Sequence, residues 1–119
     1  GERLVEGGMT TLFAQVVLEA HAARSARFDA SARRLTLRVD GREITYVVGA
    51  DGALRRDAGR GQSAGLLVPN VLEFQAAPTP DGRAVTITIA ARAARRDTPV
   101  PIRRTVTLSL PYTRLEVLP

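Results

Sequence analysis

The segment Met9-Thr10-Thr11-Leu12-Phe13-Ala14-Gln15-Val16-Val17-Leu18-Glu19-Ala20-His21-Ala22-Ala23-Arg24-Ser25-Ala26-Arg27-Phe28 sets the frame for the chain. Within it Met9, Leu12, Phe13, Val16, Val17, Ala20 and Ala23 recur at steps of three and four, the spacing that gathers side chains into one stripe of an α-helix. This predicts a helix over residues 9–28, roughly 30 Å long at 1.5 Å per residue. Gly7-Gly8 is a poor helix interior, because glycine gives up the most backbone entropy on ordering, so residues 1–8 are expected to be a flexible start. Arg24 and Arg27 continue the stripe, and burial should fade after Ala23. Gln15, Leu18 and Ala22, with Thr11, lie nearly opposite on a side with few charges. Single exposed apolar residues are ordinary; the alternative is that Gln15, Leu18 and Ala22 form a subunit contact.

A helix with one apolar stripe needs a sheet to cover, and the rest of the chain reads as strands. Leu35, Leu37 and Val39 alternate with Thr36 and Arg38, Asp40-Gly41 supplies a tight turn, and Ile44, Tyr46 and Val48 continue the alternation, which together predict a β-hairpin. Asp51-Gly52 repeats the turn signal, so Ala53 to Arg56 is expected to return as a third strand. Residues 57–65, with three glycines, read as a loop. Val71, Leu72 and Phe74 form a strand ending before Pro78. Pro80-Asp81-Gly82 makes a turn, and Val85, Ile87 and Ile89 alternate cleanly with Thr86, Thr88 and Ala90. From Ala91 to Arg104 an irregular connection is expected, because Pro99 and Pro101 oppose regular pairing. Val106, Leu108 and Leu110 form the partner strand, and the tail from Tyr112 to Pro119 is left to run along an edge or fray. The expected fold class is α+β: one domain over residues 1–119, with an N-terminal helix packed on an antiparallel β-sheet spanning 34–110.

Composition narrows the functional classes. With no cysteine among 119 residues and His21 the one histidine, disulfides, thiolate sites and two-histidine metal sites are excluded. Asp40, Asp51 and Asp81 each precede a glycine in a turn, where the carboxylate serves the local backbone. Ser25, Ser31, Ser63 and Ser109 lie in no nucleophile-elbow sequence, and Gly59 to Gly65 lacks the lysine and following hydroxyl residue of a phosphate loop. No catalytic residue, cofactor site, metal site or small-molecule substrate is expected, and the chain is read as not an enzyme. All seventeen basic residues are arginine and the net charge is +5, a bias that a GC-rich coding sequence produces. Arg92, Arg95, Arg96, Arg103 and Arg104 nonetheless stand against Asp97 alone. They are the candidate contact for DNA or an acidic partner, the other reading being that they keep a sheet edge soluble.

The order of these pieces resembles a known family. Leu12-Phe13-Ala14-Gln15-Val16-Val17-Leu18-Glu19-Ala20, Arg27-Phe28-Asp29, Leu35-Thr36-Leu37, Ile44-Thr45-Tyr46, Asp51-Gly52-Ala53-Leu54-Arg55-Arg56 and Val71-Leu72-Glu73-Phe74 together resemble the globular part of minor type IV pilins and type II secretion pseudopilins. The resemblance implies a hydrophobic anchor helix ahead of this segment, the only route to the membrane. It further implies an extracytoplasmic, bacterial location, held at the inner membrane before assembly and later on the pilus or cell surface. The implied function is assembly or capping of a type IV pilus or secretion pseudopilus, with other pilin or pseudopilin subunits as partners. The alternatives are a DNA-binding minor pilin acting in natural transformation through the arginine-rich segment, and a binding module outside the cytoplasm that never polymerises.

Overall fold

A computed structural model describes residues 2–59, 65–95 and 98–119, with backbone alone at 94 and 95. Among these residues one helix, α1, spans Glu2–Ala22, and nine strands follow: β1 Ser25–Asp29, β2 Arg34–Val39, β3 Arg42–Val48, β4 Leu54–Asp57, β5 Gly65–Val68, β6 Val71–Pro78, β7 Ala84–Arg95, β8 Thr98–Ser109 and β9 Leu115–Leu118. They form two sheets, a six-stranded one ordered β5-β4-β3-β2-β1-β9 and a three-stranded one ordered β6-β7-β8.

The α+β expectation is therefore corrected. Strand accounts for 55% and helix for 19% of the described residues, which makes the fold mostly β with one N-terminal helix. Nor is there one antiparallel sheet: there are two, and β9 joins β1 in parallel. Three local causes explain the difference. First, Ser25–Asp29 alternates, with Ala26 and Phe28 buried and Ser25 and Arg27 exposed, so period-two burial takes over where the helical stripe fades. The Arg24 N–H already donates to the Arg38 carbonyl at 2.9 Å, and α1 stops at Ala22. Second, the 91–104 segment is regular: β7 and β8 stay in register from Ala84↔Ser109 to Arg95↔Thr98. Pro99 and Pro101 fit because β8 is an edge strand and the two prolines stand two apart, where a missing N–H can point away from β7. Third, Pro69-Asn70 ends β5, and Asn70 adopts a φ of 55°, which carries the chain out of the first sheet before β6 begins.

The helix also begins earlier than its stripe suggested. Gly7 and Gly8 lie inside it, and Val5 joins Met9, Leu12, Val16 and Ala20 on the buried side. Gly8 has a packing reason: a Cβ there would stand 2.0 Å from the Leu67 carbonyl oxygen, so its absence lets the helix rest on β5. Val17, placed by spacing on the buried stripe, is instead exposed, and Phe13 is only partly covered. Both follow from a stripe centred on Leu12 and Val16, each residue turning about 100° from the last.

The helix lies across the opening between the two sheets, against β5 on one side and β8 and β7 on the other. At the far side β1 and β9 meet β6, and Phe28 packs edge-to-face on Phe74 with ring centroids 5.8 Å apart. One continuous core results, running from Val5 through Leu35, Ile44, Tyr46, Ile87 and Ile89 to Leu115. The Asp40-Gly41 turn has φ of 51° and 73°, the left-handed pair that a two-residue hairpin demands.

Candidate functional site

With its inner face committed to the core, α1 leaves an outer face whose character is set by the absence of charge from Gly7 to Leu18. Leu4, Thr11, Leu18 and Ala22 share one line along it, flanked by Gly7, Ala14 and Gln15, an a/d-like spacing of three and four. Leu18 is 73% exposed and Leu4 66%. Next to Leu4, the β5 residue Leu66 is also mostly exposed, and Arg3, Leu4, Gly7, Gly8, Thr11, Leu66 and Leu67 line a shallow hollow of about 390 Å³. The threonine hydroxyls are already occupied: Thr10 Oγ1 donates to the Glu6 carbonyl and Thr11 Oγ1 to the Gly7 carbonyl, each at 3.0 Å. Gln15 is half-buried, its Oε1 shielded and without a donor. Gln15, Leu18 and Ala22 thus share one flank of the helix. The sequence reading missed Leu4, Val17 and Leu66. The spacing Leu4, Thr11, Leu18 was legible, but a flexible start over residues 1–8 removed Leu4 from the count.

Two polar clamps hold this face outward. Near the C-terminal end of α1, the Glu19 carboxylate turns inward and accepts hydrogen bonds from the Tyr46 hydroxyl and from Arg56, whose Nε lies 3.2 Å from Oε1 and whose Nη2 bonds Oε2. Tyr46 belongs to β3 and Arg56 to β4, so the triad ties helix to sheet. Burial, reinforced by the hydrogen bond to Glu19, pushes the Tyr46 hydroxyl far above its ordinary range, and the bond to Glu19 raises Arg56. At the other end Glu6 Oε1 pairs with Arg104 Nη2 of β8 at 2.9 Å. With both ends pinned, the helix shows solvent its uncharged side.

Of the candidate arginines whose side chains are described, Arg92 and Arg103 share one face of the sheet and Arg104 takes the other. Arg103 and Arg104 are consecutive in β8, so they point to opposite faces of the sheet. Arg104 reaches the helix. Arg103 lies across from Ala90, itself across from Glu73 of β6, and pairs with Glu73 Oε1 at 2.8 Å. Its N–H groups are not aimed at that oxygen, so the contact is a charge pair rather than an aligned hydrogen bond. Arg92 is exposed on the same outer face as Arg103. The side chain of Arg95, and Arg96 and Asp97 altogether, lie outside the described residues. Much of the 57–65 loop does too. Among the described residues no three His, Cys, Asp or Glu side chains come together as metal ligands, and no helix is long and apolar enough to cross a membrane.

No family model matches the chain, and no curated protein and no solved structure matches it either.

Proposed function

We propose that the chain is a subunit of a pilin- or pseudopilin-type filament, joined to neighbouring subunits through the outer stripe of α1. The observation that carries this reading is the second apolar stripe, Leu4-Thr11-Leu18-Ala22, on a helix whose first stripe is spent on the core. Small residues at Gly7 and Ala14 leave room for close approach, and a line of uncharged side chains at steps of seven and four takes another helix as its complement. A solvated helix face ordinarily carries charges, and here the nearest carboxylates, Glu6 and Glu19, are both engaged with the sheets. On this reading the domain stands outside the cytoplasmic membrane, carried before assembly by a hydrophobic segment ahead of α1. Its partners are other subunits of the same machine, and it performs no chemistry.

The test is Leu18→Arg, made in cells that assemble the chain with its neighbours. Leu18 touches little of its own domain, so folding stability should change by no more than about 0.5 kcal/mol, while co-purification with filament subunits should be lost. Incorporation equal to that of the unaltered chain, with the charge at that position, would contradict the assignment.

A further inference from the structure

A second feature lies where the β6–β7 turn meets the segment leading into β9. Gly82, Arg83, Ser109, Leu110, Pro111, Tyr112, Thr113 and Arg114 enclose a cleft of about 470 Å³. Its construction is specific. The Leu110 N–H donates to the Arg83 carbonyl at 3.1 Å, pinning the turn to the end of β8. Gly82 holds a φ of 74°, and the Arg114 guanidinium lies beside it, with Nη1 2.9 Å from where a Cβ would stand. A third guanidinium, Arg24, stacks on the Tyr112 ring with its carbon 4.2 Å from the centroid, and His21 meets the same ring edge-on at 6.4 Å.

Among the described residues neither Arg83 nor Arg114 makes an ion pair, in contrast to Arg38, Arg55, Arg56, Arg103 and Arg104. Asp81, beside Arg83, is tied into the turn: its Oδ1 takes the Thr79 hydroxyl at 2.6 Å and the Arg83 N–H at 3.0 Å, and the Arg83 charge helps hold its carboxyl below the usual range. Arg83 and Arg114, the hydroxyl-bearing Ser109 and Thr113 and the aromatic Tyr112 therefore line one concave space.

We propose that this cleft is an anion site that binds a phosphate monoester. Guanidinium forks pair with phosphate oxygens through two parallel N–H bonds each, and two of them balance the double charge of a monoester at neutral pH. A carboxylate would satisfy one fork and leave the second unpaired. A nucleic-acid backbone carries single charges in a line and is held by a track of cations, whereas here two arginines line a single cleft. The site is independent of the helix stripe, and neither reading depends on the other.

The experiment is a titration of the whole, isotopically labelled chain with inorganic phosphate and with glycerol phosphate, followed by amide chemical shifts at constant ionic strength against chloride. The expected result is saturable shifts at Gly82, Arg83, Ser109, Thr113 and Arg114, with affinity falling at least tenfold in Arg83→Gln/Arg114→Gln. Both side chains are exposed, so the variant's far-ultraviolet spectrum should match that of the unaltered chain. Shifts that do not saturate and spread over all arginines would overturn the proposal, as would unchanged affinity in the double variant. A short single-stranded oligonucleotide binding more tightly per phosphate than glycerol phosphate would also overturn it, in favour of a nucleic-acid contact.

Discussion

Two adjacent glycines should respond to the same substitution with opposite signs. Gly7 and Gly8 both lie within α1, and replacing a helix-interior glycine by alanine ordinarily gains about 0.5–1 kcal/mol from reduced backbone entropy of the unfolded chain. At Gly7 a Cβ would meet nothing within 4 Å, so Gly7→Ala should show the full gain, a rise in Tm of roughly 2–4 °C for a domain of this size. At Gly8 the new Cβ would stand 2.0 Å from the Leu67 carbonyl oxygen and 3.1 Å from its carbon. These are backbone atoms of β5, so relief requires the helix or the strand to move by more than an ångström, an overpacking that costs about 1–3 kcal/mol. That exceeds the entropic gain, and Gly8→Ala should be net destabilising by about 0.5–2 kcal/mol. Urea unfolding followed by circular dichroism, comparing midpoints at constant slope, reads both values. If the two variants shift together, or neither shifts, the helix does not run through Gly7-Gly8 against β5, and the description of its N-terminal half is wrong.

Three further outcomes follow from the clamps and turns. Glu19→Ala leaves the Arg56 guanidinium and the buried Tyr46 hydroxyl without their shared acceptor; it should cost about 2–4 kcal/mol in the same unfolding assay, against about 1 kcal/mol for Tyr46→Phe. Because the Tyr46 hydroxyl titrates well above its ordinary value of 10.0 in the folded chain, the stability it contributes is complete below about pH 10 and declines as pH rises beyond; in an ultraviolet titration its tyrosinate absorbance should appear only together with alkaline unfolding. Asp51 is lowered to about 2 by its hydrogen bonds to Arg55 and the Ala53 N–H, so the stability it contributes is complete above about pH 4 and lost as pH falls toward 2. The stability difference between Asp51→Asn and the unaltered chain should accordingly be flat near neutrality and shrink across that interval.

What could be read from the residues, and what could not, divides along the range of the interactions. The hairpin from Leu35 to Val48 was legible because alternation and Asp40-Gly41 are local signals, and the structure places Leu35, Leu37, Val39, Ile44, Tyr46 and Val48 together on the inner face. Ser25–Asp29 was not, because Ala26 fits a helical continuation as well as an alternating strand; pairing with β2 and with the distant β9 decides it. Pro99 and Pro101 argued against a strand only as long as its edge position was unknown. Gly7-Gly8 read as a helix breaker because its compensation, the close approach of Leu67, comes from 59 residues further along the chain. The helix stripe around Gln15, Leu18 and Ala22 was visible in the pattern. The phosphate cleft was not, since Arg83 and Arg114 come from two separate stretches brought together where the β6–β7 turn meets the segment leading into β9.

The proposal that α1 joins neighbouring subunits through its outer stripe is open to one direct measurement. The chain has no cysteine, so Leu18→Cys introduces a single reactive thiol at the centre of the stripe, and Thr107→Cys places one on the exposed outer face of the three-stranded sheet as its control. Each variant is expressed with its neighbouring subunits, and assembled material is treated with a short bifunctional thiol reagent after cysteines are introduced along the helices of those neighbours. The account predicts cross-linked pairs from position 18 and none from position 107. Cross-links from position 107 with position 18 unreactive toward neighbours, yet freely labelled by a small maleimide, would contradict it.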